Sequence, residues 1–134
     1  MINDIIQVIV DRLAELYPGQ EIYTDDVPQD FSTPSFLIVL VSHDYGKRIY
    51  GNRGEAVFDV AYFSDKGTQE IKSDCRTVQE NLMQQIDLIG SFRATGKSAQ
   101  TVDNVLHLTF TVKYSEIDLP EGIKMQQQQT NTKL

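Results

Sequence analysis

The chain has one cysteine, Cys75, in 134 residues, so no disulfide can form within it. Its fold must rest on buried apolar surface, and a chain of this length can bury enough to stand without a covalent staple or a structural metal. A lone thiol also fits a reducing compartment. Tryptophan is absent, and histidine occurs only at His43 and His107. Neither histidine has neighbours at the spacing of a metal clamp. No apolar run approaches the roughly 20 residues that a membrane-spanning helix needs. The first stretch, MINDIIQVIVDRLAELY, carries Asp4 and Asp11 and has no basic start or small-residue cleavage site. It therefore reads as a helix and not as a secretory leader. Cations are scarce: 12 Lys and Arg against 19 Asp and Glu give a net charge of −7 and a pI of about 4.7. A tight, non-specific hold on a phosphate backbone is not expected from that balance. It suits a soluble binding module, or a structural part that nucleic acid passes without sticking.

What is present is an ordinary globular composition, 40% apolar and 23% charged, in a length that suits one domain. Ile5, Ile6, Ile9, Leu13 and Leu16 recur at helical spacing and predict a helix over 3–17, with Asn3 as N-cap and Pro18-Gly19 as its stop. EIYTDD (21–26) is a short strand, and VPQDFSTP (27–34) is a loop. Residues 35–42 are almost continuously apolar, as in a central strand covered on both faces. Residues 55–63 form another strand, with Phe58, Val60 and Tyr62 on one side. After an SDKG turn, Thr68 is placed to cap a second helix over 69–87, whose stripe is Ile71, Cys75, Val78, Leu82 and Ile86. Gly90 and the run ATGKSAQT (94–101) punctuate a second strand pair. In 105–114, Leu106, Leu108, Phe110, Val112 and Tyr114 alternate with His107, Thr109, Thr111 and Lys113. The order predicts an α+β domain over 1–119, with two helices on one face of a mainly antiparallel sheet. Residues 120–134 are a polar, Gln-rich tail with too little apolar content to fold alone. There is no internal repeat.

One segment is too long for its place. Between the strands PSFLIVLVS and AVFDVAYFS lie 13 residues (43–55), where a plain hairpin loop needs two to five. They hold Tyr45, Lys47, Arg48, Tyr50 and Arg53 among glycines. This excursion is too polar for a core and predicts a long hairpin projecting from the sheet.

No constellation for catalysis emerges. His107 sits on the polar side of a regular strand, and His43 at a strand end. Cys75 lies on the apolar stripe of the second helix, where a buried structural thiol is expected. Asp25 and Asp26, with Asp30 nearby, are solvated or interface charges, since neighbouring strand positions face opposite ways. ATGKS resembles half of a phosphate loop but lacks the upstream glycine and the following helix. Lys47, Arg48 and Arg53 with interleaved tyrosines are a thin footprint for nucleic acid in a chain of this charge. They read more economically as partners for carboxylates on another copy.

The run EIYTDDVPQDFSTPSFLIVL followed by GKRIYGNRGEAVFDVAYFS resembles a family of short phage tail terminator proteins from Gram-positive phages, prophages and phage-like particles. The matching elements are Ile22-Tyr23-Thr24, Val27 and Gln29, Pro34 to Phe36, the basic excursion Lys47-Arg48 to Arg53, and Phe58 to Phe63. The second helix and NVLHLTFTVKY follow in order, so the likeness covers residues 1 to about 118. It implies a homo-hexameric ring on the head-proximal end of the tail tube. Such a ring stops tube growth, offers a docking face to the neck or head–tail connector, and meets the sheath protein if the tail is contractile. DNA would pass through the lumen without specific binding. No catalysis, cofactor, metal or membrane is implied. The location implied is the neck end of the virion tail, reached from the host cytoplasm during assembly. The expected contact residues between subunits, or with the tube, are Lys47, Arg48, Tyr50 and Arg53, facing Asp25, Asp26 and Asp30. The competing expectation is a monomeric or dimeric ligand-binding α+β domain, which needs a concave apolar pocket.

Overall fold

The computed structural model describes residues 1–49 and 51–117, with the side chains of Arg48 and Ile117 outside the description. The Gln-rich tail and Tyr50 therefore lie outside the described residues. In chain order the elements are α1 (Ile2–Leu16), β1 (Glu21–Thr24), β2 (Ser35–Arg48), β3 (Gly51–Phe63), α2 (Ile71–Gln85), β4 (Leu88–Ile89), β5 (Phe92–Val102) and β6 (Val105–Ile117). The strands form one sheet in the order β1-β2-β3-β6-β5-β4. Only β1 and β2 run parallel; every other pair is antiparallel. The α+β expectation holds.

Strand alternation decides which face is covered. Phe36 and Ile38 of β2, Phe58 and Val60 of β3, and Leu106, Leu108 and Phe110 of β6 all point to one side and are buried. Ile5, Ile9 and Leu13 of α1 meet them there, as do Cys75, Val78 and Leu82 of α2 and Ile86 just beyond it. Each such side chain contributes about 1.5–3 kcal/mol through removal from water.

The ends of α2 are fixed by side chains from elsewhere. Asp74 in its first turn accepts hydrogen bonds from Tyr62 Oη (2.8 Å) and Ser64 Oγ (2.5 Å). Burial, and then the Asp74 carboxylate, push the Tyr62 phenol well above its usual pKa. At the other end Lys97 Nζ donates to the carbonyls of Met83 and Ile86, both at 2.8 Å. Arg12 of α1 donates to the Gln85 carbonyl through Nε and Nη2. Two cations thus satisfy carbonyls that a helix C-terminus leaves open, where positive charge is favoured.

Several expectations need correction. Asn3 does not cap α1; Met1 holds that position, and no side chain bonds there. Thr68 does not cap α2, which starts after Glu70, with Ile71 N–H donating to the Gly67 carbonyl. The run 94–101 is not punctuation but the body of β5. A bulge between Thr95 and Ser98 absorbs Gly96 in a left-handed conformation (φ 61°). The turn lies beyond it at Asp103-Asn104, both with positive φ, joining β5 to β6 in the two-residue form that suits strand twist. The apolar run 35–42 is covered on one face only. Both helices lie on the same side, so Val41 remains 57% exposed. The other face is partly closed near β1 by Phe31, whose ring sits 4.9 Å from Phe63.

The Lys97 contacts carry a measurable share of stability. Lys97→Ala is expected to cost about 1.5–3 kcal/mol in urea unfolding, the range for hydrogen bonds from a charged group. Lys72→Ala, on the exposed side of α2, should change stability by less than about 0.5 kcal/mol.

Candidate functional site

The excursion is not a loop. Arg48 pairs with Gly51, so only two residues connect β2 and β3, and the strands stay in register from Ser42↔Val57 to that turn. β6 accompanies β3 to the end, with Ile117 opposite Gly51. The far part of the sheet is therefore three-stranded. Neither β1 nor β5 reaches it: β1 pairs with β2 only as far as Ile38, and β5 with β6 only as far as Val112.

This arm has its own packing. On the helix side, Tyr114 lies across Gly54, where an added Cβ would collide with the ring carbon Cζ. The closed backbone approach needs glycine there. Tyr114 Oη is 2.5 Å from His43 Nε2, and the two rings are 5.9 Å apart. Tyr45 Oη donates to Glu116 Oε1 at 3.1 Å. Burial, with the Glu116 charge second, raises the Tyr114 phenol pKa. An open hollow of about 310 Å³ is lined by Asp44, Tyr45, Gly46, Arg53, Gly54 and Glu55.

The structure separates the expected contact residues. Lys47 lies opposite Asn52, and Arg53 opposite Gly46. Alternation therefore puts Lys47 on the helix side of the arm and Arg53 on the other side. Both are exposed, and neither makes an ion pair among the described residues. The backbone of Arg48 ends β2, and Tyr50 lies outside the described residues. Asp25 stands just past β1 with φ 71°, its N–H donating to the Ile38 carbonyl. Asp26 follows, and Asp30 lies in the next loop; all three are exposed. From Val39, beside Asp25, to Lys47 is eight residues of strand, about 25 Å. The acidic group and the basic tip therefore do not meet within one subunit.

Sequence reasoning missed the polar partnerships that hold the arm and the open face. His43 pairs with Tyr114 and Tyr45 with Glu116. His107, on the polar side of its strand, places Nδ1 2.9 Å from Asp59 Oδ2. Each pair spans two strands, and no local signal reveals it without the register.

A family model described as phage tail terminator protein matches residues 4–124. The chain belongs to the phage tail terminator family. It is accordingly a structural component of the phage virion tail, acting in tail assembly with other tail and neck proteins. No curated protein matches the chain. Among solved structures, one chain without a descriptive name aligns with 90% of this chain and 98% of its own length, at a TM-score of 0.40 and 13% identity. That likeness is too weak to bear on fold or function.

The arm's packing is testable at Gly54. Gly54→Ala should destabilise the protein by about 1–3 kcal/mol, the usual cost of overpacking. Adding Tyr114→Ala should relieve part of that cost, so the double variant unfolds later than the sum of the single effects predicts. Strict additivity in urea unfolding would show that the ring does not oppose the new methyl group.

Proposed function

We propose that this protein closes the head-proximal end of the tail tube as a ring of six copies. One face of the ring binds the last tube ring and stops its growth. The opposite face receives the neck, and the rim meets the sheath where the tail contracts. The family supports a role at this level of assembly. The observation that carries the ring is the separation of charge on one subunit. A basic arm tip and an acidic group about 25 Å apart along β2 cannot neutralise each other internally. A head-to-tail contact, in which one surface meets a different surface on the next copy, brings them together and closes under rotation. Lys47, Arg48, Tyr50 and Arg53 are assigned to one side of this seam, and Asp25, Asp26 and Asp30 to the other. The net charge of −7 disfavours adhesion of DNA passing through the lumen. The domain is proposed to end near residue 119, with the polar tail beyond it available to a partner.

Charge reversal tests the seam. Lys47→Glu, Arg48→Glu and Arg53→Glu together should leave the thermal melt nearly unchanged and abolish rings in mass photometry, with tube protein present as template. Asp26→Lys with Asp30→Lys, added to the same chain, should restore assembly; Asp25 is left alone because its positive φ disfavours lysine. Normal rings from the triple variant would remove the arm from the seam.

Deleting the gene tests the role. Tubes should become variable and often overlong, with heads left unjoined, because a tube interface that stacks head to tail sets no length. Tails of normal length on filled heads would refute the assignment, and failure of tube initiation would move the protein to the opposite end.

A further inference from the structure

We propose that adjacent copies join through their backbones, the open edge of β2 in one copy pairing in parallel with the open edge of β6 in the next. This inference rests on the ring reading above and specifies its joint.

The arm has two uncovered edges. Past Ile38, β2 has no strand on the side away from β3 among the described residues. Past Val112, β6 has none on the side away from β3 among the described residues. The direction of the backbone groups follows from one hydrogen bond. The Ile38 carbonyl accepts from Asp25 N–H, so it points away from β3. Alternation carried through the bulge at Val41, and checked by the closing Arg48↔Gly51 pair, turns the N–H and C=O of His43 and Lys47 outward as well. The same count along β3 and β6 turns those of Lys113 and Ser115 outward on the far edge. Each edge therefore offers a short ladder of unpaired donors and acceptors, a template for strand addition.

Three further features choose a second copy as the occupant. Both edges belong to the same chain and have similar length. β2 and β6 each run antiparallel to β3, so they run parallel to each other, and a rotation that sets them side by side keeps that direction. The joint is heterologous, as a closed ring requires. Large apolar side chains also mark this edge: Val41 at 57% and Ile49 at 90% exposure bracket the β2 ladder. A proline would blunt such an edge, yet none occurs between Pro34 and Pro120.

Proline tests the edges without changing charge on the seam's acidic side. Lys47→Pro removes one outward N–H from β2, and Ser115→Pro one from β6; Lys47→Ala and Ser115→Ala keep them. Each proline variant should assemble at least tenfold more weakly than its matching alanine variant in mass photometry with tube protein present, a comparison in which the side chain of Lys47 or Ser115 is lost from both. Mixing the two proline variants should give a heterodimer and no ring, because one intact joint remains. Rings from either proline variant alone would overturn edge pairing while leaving the ring itself intact. Amide hydrogen exchange on the unaltered protein gives a second answer if a proline variant melts. Assembly should slow exchange at residues 43, 47, 113 and 115 by tenfold or more. Unchanged exchange there would refute the joint. Failure of the unaltered protein to form rings under any of these conditions would overturn the ring reading and this inference with it.

Discussion

Two helices of 15 residues each reach about 22 Å, whereas the 13 residues of β3 extend about 43 Å. That mismatch governs the molecule. The sheet segment beneath the helices shares their core, with Phe36, Phe58 and Phe110 buried against Ile9, Leu13 and Leu82. The rest runs past their cover and must be stabilised within three strands. Tyr114 over Gly54 and the His43 and Tyr45 partnerships do this with few residues. Tyr114 belongs to the same buried cluster as the helix-covered residues and so ties the base of the arm to the main core.

The same division separates side chains that fasten the helices from those exposed on the arm. Side chains that fasten the helices point inward to named partners: Asp74 holds one end of α2, and Lys97 and Arg12 hold the other. Lys47 and Arg53 on the arm make no ion pair among the described residues. Charges exposed on a stiff support steer encounter with a complementary surface and reject like-charged ones.

Residue patterns revealed much of the fold before any coordinates. The alternation from Leu106 to Tyr114 places β6 and its buried side, and the stripe Cys75, Val78, Leu82 places α2. The surplus length between the first two long strands points to the arm, which the notion of a loop understates. The run 94–101 was harder to read because Gly96, Lys97 and Ser98 have turn chemistry. Pairing with β6 overrides that preference, and Lys97 is spent on the α2 carbonyls. Lys47 and Arg53 look like one cluster in sequence, yet parity across a two-residue connection sends them to opposite faces. Register is a property of strand pairs, so His43 with Tyr114 and Asp59 with His107 had no local signature.

Strand alternation beyond the bulge at Val41 makes the arm's length quantised. Before it, even-numbered positions of β2 face the helices; beyond Ser42, odd-numbered positions do. Val41 has no partner on β3, so losing it would only smooth the bulge; losing one residue beyond it would move Lys47 to the opposite face, since a one-residue slip exchanges the faces of a strand. Adding one residue past it would do the same. Variation that spares the contacts must therefore come in matched pairs, two residues to β2 and two to β3. Arms of different reach can arise on this scaffold only in steps of roughly 7 Å, a coarse ruler built into the backbone.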